Sequence, residues 1–182
     1  MKRAIYILPI ILLIALAALS VVKLGQVGGP QGDLFQGKAR AAPAIELQTL
    51  EGETYRLSEH LGEPVVVNVW ATWCLPCKLE HPYLMEMSEE TPIVGVAYKD
   101  QPSAIVKMLE EDGNPFAVVG LDTDGMTGLS LGVNAVPETF LIDADGMIVR
   151  QHRGPLSRQE ADAFKTEYAQ LKTAQSSGDE VN

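Results

Sequence analysis

The sequence predicts an α/β sandwich, a central mixed β-sheet with helices on both faces. Three observations carry this. Pro64–Trp70 (PVVVNVW) is an almost unbroken β-branched run, the pattern of a strand buried on both faces of a mostly parallel sheet. Strand-like and helix-like segments then alternate as far as Gly113. Two short strand patterns, Thr139–Ile142 and Met147–His152, follow around a tight turn.

The elements follow in order. Glu46–Thr49 and Thr54–Leu57 flank Glu51-Gly52 and predict an N-terminal hairpin. The buried run to Trp70 leads into Cys74-Leu75-Pro76-Cys77, after which Leu75, Leu79, Tyr83, Leu84 and Met87 recur at helical spacing. That spacing predicts a helix to about Ser88, with Pro82 inside it as a kink. Ile93–Tyr98 is a second buried strand, and Pro102 opens a helix whose Ile105, Met108 and Leu109 share one face until Gly113 ends it. Phe116–Leu121 has the pattern of a further strand and Gly128–Leu131 that of a short helical turn. Asp143-Ala144-Asp145-Gly146 supplies a tight turn whose glycine accepts positive φ, so the strands on either side should be antiparallel. Ser157-Arg158-Gln159-Glu160 is a capping box, and Ala161, Phe164, Tyr168 and Leu171 form the apolar stripe of a C-terminal helix.

A chain of 182 residues holds one core and an appendage. The appendage is N-terminal. Residues 4–22 carry no charge and stand between Lys2-Arg3 and Lys23. As a helix they would reach about 28 Å, close to the roughly 30 Å of a bilayer's hydrocarbon core. The run is longer than a signal-peptide core, which predicts an uncleaved transmembrane anchor over 4–22, with residues 1–3 cytoplasmic. A cleaved signal peptide is the alternative, because Ala15, Ala17, Ala18 and Ser20 are small. Residues 23–42, rich in Gly, Gln, Ala and Pro, read as a flexible linker, 43–175 as the folded domain, and 176–182 as a disordered acidic tail.

Composition narrows the function. With 46% apolar and 21% charged residues, neither intrinsic disorder nor a multi-span membrane protein fits. The net charge of −10 is divided unevenly: residues 1–42 are net basic, and the body beyond them is strongly acidic without any basic cluster. Such a body does not attract phosphate backbones, which excludes nucleic acid as partner.

The only two cysteines, Cys74 and Cys77, stand where a buried strand turns into a helix. As a purely structural bridge they would close a loop so short that it contributes only about 2 kcal/mol. Zinc would need His60, His81 or His152 to complete its ligands, and no second C-x-x-C or closely spaced His pair is present. Redox chemistry has a mechanism. With Cys74 at the N-cap, its sulfur faces free backbone N–H groups and the positive end of the helix dipole, which favours thiolate. Cys74 would then attack a substrate disulfide, and Cys77, one turn on, would resolve the mixed disulfide. Pro76 suits the first turn, where its missing N–H costs nothing.

Trp73-Cys74-Leu75-Pro76-Cys77-Lys78 resembles the W-C-x-P-C-K active site of thioredoxin-like proteins, with Pro82 at the spacing of their kink proline and Val136-Pro137 at that of their cis-proline loop. Val69-Trp70-Ala71-Thr72-Trp73-Cys74, Glu80-His81, Tyr98-Lys99-Asp100, Gly113-Asn114-Pro115, Gly132-Val133 and Pro137-Glu138-Thr139-Phe140-Leu141-Ile142-Asp143 are similar to the DsbE/CcmG family, membrane-tethered thioredoxin-like proteins of cytochrome c maturation. The resemblance covers about 43–170 and the N-terminal anchor; Asn134-Ala135 departs from the Tyr-Gly of many relatives.

The resemblance implies a thioredoxin fold, a cis Val136–Pro137 bond, and substrate contacts from Trp73, Val136 and Pro137. It places Asn68 where thioredoxin has a buried Asp that accepts a proton. It implies that Glu80, Glu138 or both tune thiol pKa and proton transfer; the alternative for each is a solvated surface carboxylate. Trp73 is either a substrate-facing lid or a half-buried packing residue, and Trp70 belongs to the core. His81 is expected on an exposed helix position, and Met85 and Met87 need only packing roles.

The function implied is that of a thiol:disulfide oxidoreductase in the bacterial inner membrane with its domain in the periplasm. It would be recharged by a DsbD/CcdA-type membrane electron donor and would reduce apocytochrome c or a CcmH-type maturation protein. No cofactor or metal is implied beyond the Cys74–Cys77 pair. The alternatives are a tethered reductant of another periplasmic pathway and a non-catalytic peptide- or haem-binding module.

Overall fold

The structure, a computed structural model, describes residues 39–179. The anchor expected over 4–22 lies outside them, and among the described residues no helix is long and apolar enough to cross a membrane. The strands are β1 (Arg40–Ala41), β2 (Glu46–Thr49), β3 (Thr54–Arg56), β4 (Val65–Trp70), β5 (Ile93–Tyr98), β6 (Val118–Asp122), β7 (Glu138–Ile142) and β8 (Met147–Arg153). The helices are α1 (Leu75–Ser88), α2 (Pro102–Asp112), α3 (Met126–Leu131) and α4 (Arg158–Asp179).

The eight strands of the described residues form one mixed sheet in the order β1-β8-β7-β4-β5-β6-β2-β3. The pairs β4–β5 and β5–β6 are parallel and the other five antiparallel. The β-branched run places β4 at the centre, where every one of its residues is buried.

Strand alternation assigns the two faces. Val66, Trp70, Ile93, Ala97 and Leu141 point to one face and pack with α1, α2 and α4 through Leu84, Met87, Ile105, Met108 and Phe164. Val65, Val67, Val69, Val94, Val96, Phe140 and Ile142 point to the other, covered by Leu131 of α3 and by Ile45, Leu47, Tyr55 and Leu57 from the N-terminal hairpin region. Among the described residues helices thus lie on both faces, though three of the four share one.

Several boundaries differ from the sequence reading. Arg40–Ala41, expected in the linker, pairs antiparallel with Ile148 and Met147 of β8 and satisfies groups on that outer edge. At the other end α4 continues through Ser176 to Asp179, where a disordered tail was expected; the run Ala169–Gln175 is composed largely of strong helix formers that carry the helix onward. The strand expected from Phe116 begins at Val118. Asn114 Oδ1 accepts the Phe116 N–H at 2.9 Å, and the Phe116 ring turns inward to stack on Trp70 with centroids 4.9 Å apart. The capping box forms as written: Ser157 N–H donates to Glu160 Oε2 at 2.6 Å and Glu160 N–H to Ser157 Oγ at 3.4 Å.

Candidate active site

The site is built where β4 ends and α1 begins. Trp70 closes the strand, Cys74 N–H donates to Ala71 O at 3.2 Å, and Cys74 takes an extended conformation as the N-cap of α1. Its sulfur accepts the Cys77 N–H at 3.1 Å, occupying one of the donors that a helix N-terminus leaves free. Cys74 and Cys77 are joined as a disulfide with their Cα atoms 5.3 Å apart. A thiolate formed at Cys74 by reduction would keep that N–H and the helix dipole as its stabilisers.

The turn carrying the cysteines is braced from β5. Asp100, buried, accepts the Thr72 N–H on Oδ2 and the Thr72 hydroxyl on Oδ1 at 3.0 Å, and Oδ1 also accepts the Gln101 N–H at 2.7 Å. Next to it Lys99 holds φ +48°, a left-handed value rare for a residue with a side chain. Its carbonyl accepts the Trp73 indole N–H at 3.2 Å. Trp73 thus lies on the surface at 58% exposure, with its indole N–H tied to the backbone.

The loop between α3 and β7 closes the site from the other side. The Val136–Pro137 peptide is cis, and Val136 O lies 3.6 Å from Cys74 Sγ.

Below the disulfide, on the inward side of α1, Glu80 is fully buried. Its Oε1 accepts from Asn68 Nδ2 at 2.9 Å and its Oε2 from the Leu156 N–H at 2.8 Å. Asn68 Nδ2 also donates to Thr139 Oγ1 at 3.0 Å, whereas Asn68 Oδ1 is buried with no partner among the described residues. Burial pushes the Glu80 carboxyl up to about 7; the hydrogen bonds from Leu156 and Asn68 oppose this, and the charge of Glu160 adds to it.

Glu138 is also buried, so neither carboxylate is a solvated surface group. The structure does not bring the two together. Glu138 alternates with Thr139 and so shares the face of Phe140 and Ile142, whereas Glu80 and Asn68 occupy the face of Cys77 and Trp70. Glu138 Oε1 accepts the Asn134 N–H at 3.2 Å, and Oε2 accepts from Gln151 Nε2 at 2.8 Å with Arg153 Nε at 3.7 Å.

The inward face of α1 also differs from its expected apolar stripe. It carries Cys77, Glu80, His81, Leu84 and Met87, while Leu75 and Leu79 point outward at 69% and 63% exposure. Polar residues occupying core positions hid the helical period. His81, expected exposed, is buried and its Nε2 lies 3.1 Å from Gly113 O, tying α1 to the end of α2. Met87 is buried in the core, as is Trp70. Of the other histidines, His60 stacks on Tyr55 and His152 Nδ1 lies 3.5 Å from Glu160 Oε1. Sequence reasoning assigned no role to Asp100 or Lys99; for Asp100 the signal was a lone acid at the end of a buried strand.

The Redoxin family model matches residues 37–166. Thiol:disulfide interchange protein DsbE of Escherichia coli (strain K12) is 39% identical over 168 residues, covering 86% of this chain and 89% of that protein. The DsbE homolog of Paracoccus denitrificans (strain Pd 1222) is 43% identical over 123 residues, covering 66% and 69%. Among solved structures, that of MTB dsbF in its mixed oxidized and reduced forms aligns with a TM-score of 0.63 and 28% identity, covering 72% of this chain and 99% of that one. The architecture is thioredoxin-like, and a bonded Cys-x-x-Cys pair sits at its active-site helix. The chain belongs to the Redoxin family and, within it, to the DsbE thiol:disulfide interchange proteins, which makes it a protein-disulfide oxidoreductase with Cys74–Cys77 as its redox centre.

Proposed function

We propose that this oxidoreductase works as a reductant in cytochrome c maturation, held by residues 4–22 in the bacterial inner membrane with its domain in the periplasm. Cys74 is the nucleophile. Its thiolate attacks one sulfur of a substrate disulfide, forming the Cys74–substrate bond and releasing the other substrate sulfur as a thiolate that takes a proton. Cys77 then loses its proton and attacks Cys74 Sγ; the second substrate sulfur leaves, and two electrons have passed to the substrate as Cys74–Cys77 closes.

The observation that carries this is the placement of the pair: Cys74 Sγ on the Cys77 N–H at the start of α1, with the Glu80 carboxyl three residues further along the same buried face. A carboxyl poised at about 7 exchanges protons near neutral pH, and of the two candidate acids Glu80 is the one on the sulfur-bearing face, so the proton role falls to it. Trp73, Val136 and Pro137 contact the substrate segment. The exposed Trp73, Leu75 and Leu79 beside the disulfide support a protein rather than a small-molecule substrate.

The substrate is apocytochrome c or a CcmH-type maturation protein, and a DsbD/CcdA-type membrane protein returns electrons to Cys74–Cys77. Relatives at 36–43% identity are named thiol:disulfide interchange proteins, which supports the disulfide chemistry of this reading. A Cys77→Ser chain should accumulate a mixed disulfide with its substrate, whose identity mass spectrometry reports, while Cys74→Ser should trap none. Recovery of periplasmic proteins unconnected with haem attachment, together with normal c-type cytochrome levels in a deletion strain, would reject the maturation role.

A further inference from the structure

The loop from Gly132 to Pro137 is held at both ends by charged side chains that the chemistry at sulfur does not use. At its start, the last carbonyl of α3, Leu131 O, accepts from Arg40 Nη2 at 2.7 Å. This oxygen is one of those that a helix C-terminus leaves unpaired, and a cation is favoured there by the helix dipole. Arg40 reaches it from β1, ninety-one residues earlier in the chain, where pairing with Ile148 of β8 fixes its backbone. At the far end Glu138 turns back to take the Asn134 N–H, and is itself held by Gln151 and Arg153 of β8. Gly154 N–H adds a bond to Pro137 O at 2.9 Å, also from the end of β8. Between these anchors lies Val136, whose carbonyl stands 3.6 Å from Cys74 Sγ.

We propose that Arg40 and Glu138 are positioning residues for substrate recognition: together they clamp the loop 132–137 against Cys74, so that the strand leading out of the N-terminal region helps to shape the substrate groove. Neither residue takes part in electron or proton transfer. Arg40 and β8 act on the loop through its backbone, from the face of the sheet opposite Glu80 and Cys77. The inference rests on the reading that this loop pairs with the substrate chain.

The test compares two oxidants of the reduced full-length chain: a short synthetic peptide closed by a Cys-x-x-Cys disulfide, which needs the groove, and 5,5′-dithiobis(2-nitrobenzoate), which does not. Removing one charge-assisted hydrogen bond at a partly solvated site should raise KM for the peptide about five-fold in Arg40→Gln. The turnover number, the rate with the small disulfide and the reduction potential should stay at the wild-type values. Arg40→Lys, which keeps a donor and a charge, should recover most of the loss. Glu138→Gln should raise the peptide KM as well, and the double variant should fall short of the product of the two, because both act through one loop. A peptide KM unchanged in Arg40→Gln, or a loss of equal size with both oxidants, overturns the proposal. Pro137→Ala separates the two levels. If it raises the peptide KM while Arg40→Gln does not, the clamp alone is wrong; if it too leaves the peptide KM unchanged, the substrate role of the loop falls with it.

Discussion

Asn68 on β4 donates its side-chain N–H to the Glu80 carboxylate on α1, 2.9 Å away, in an interior otherwise filled by Val66, Trp70, Leu84 and Leu141. The amide presents Nδ2 to both Glu80 and Thr139, which suits a charged carboxylate. Turned over, it would present Oδ1 to the same two groups and could accept from a protonated carboxyl and from the Thr139 hydroxyl. Each orientation matches one protonation state of Glu80, so the pair can hold or yield a proton with little movement.

Glu80→Gln should therefore erase a titration. In the wild-type protein the rate of thiol–disulfide exchange should show an inflection near 7, where the Glu80 carboxyl changes charge. The glutamine variant should lose it; an identical pH profile would remove Glu80 from the proton path.

The same shift fixes a sign for stability. The Glu80 carboxyl lies at about 7 in the folded chain against its ordinary 4.5, so between those values the folded state keeps a proton that the unfolded chain has released. Stability contributed by this group falls as pH rises through that window, by roughly 3 kcal/mol at most. The oxidised Glu80→Gln chain should gain on wild type between pH 5 and pH 8 in urea denaturation. A stability of the variant relative to wild type that falls as pH rises would contradict the assignment.

Asp100→Ala should loosen the turn before Cys74. Three hydrogen bonds to a buried carboxylate are lost, at a cost of roughly 3 kcal/mol in unfolding free energy. Amide exchange should rise first at Thr72 and Gln101. Exchange that rises uniformly along the chain would mean that the brace is not local.

Gly95→Ala tests the packing behind the site. A Cβ on Gly95 would lie 2.6 Å from Phe116 Cγ, and the Phe116 ring is held by its stack on Trp70. Forcing it outward should cost about 1–3 kcal/mol. A thermal midpoint equal to wild type would show that the ring has room to shift.

Leu79→Ser tests the apolar rim. The side chain is 63% exposed, so stability should stay within about 0.5 kcal/mol of wild type. The KM for a disulfide-bonded protein should nevertheless rise several-fold, because apolar area that a partner would cover has been removed. Unchanged kinetics would mean that the substrate does not reach this turn of α1.

The strands and the redox pair were legible because their signals are local: β-branched runs, a turn glycine, two cysteines one helical turn apart. The capping box at Ser157 and Glu160 was legible for the same reason. Harder to see were features made by contact between distant segments. Asn68 and Glu80 each drew notice, yet nothing in the chain states that one donates to the other. The inward face of α1 was misread because Glu80 and His81 occupy core positions that hydrophobic periodicity cannot recognise, while Leu75 and Leu79 are apolar and face outward. For Glu138 the signal existed: in register with Phe140 and Ile142 along β7, it had to point away from the sulfurs. The strand Arg40–Ala41 is too short to carry a period, and its role depends on an edge of β8 that no local pattern describes.

That short strand decides where a soluble fragment can be cut. Trimming at Pro43, the boundary that composition suggests, would strip Arg40 and Ala41 from Ile148 and Met147 and leave the first residues of β8 without their neighbour on the outer edge. An open edge of this kind is a template for pairing with another molecule, and fragments beginning there should self-associate where those that keep residues 39–42 stay monomeric.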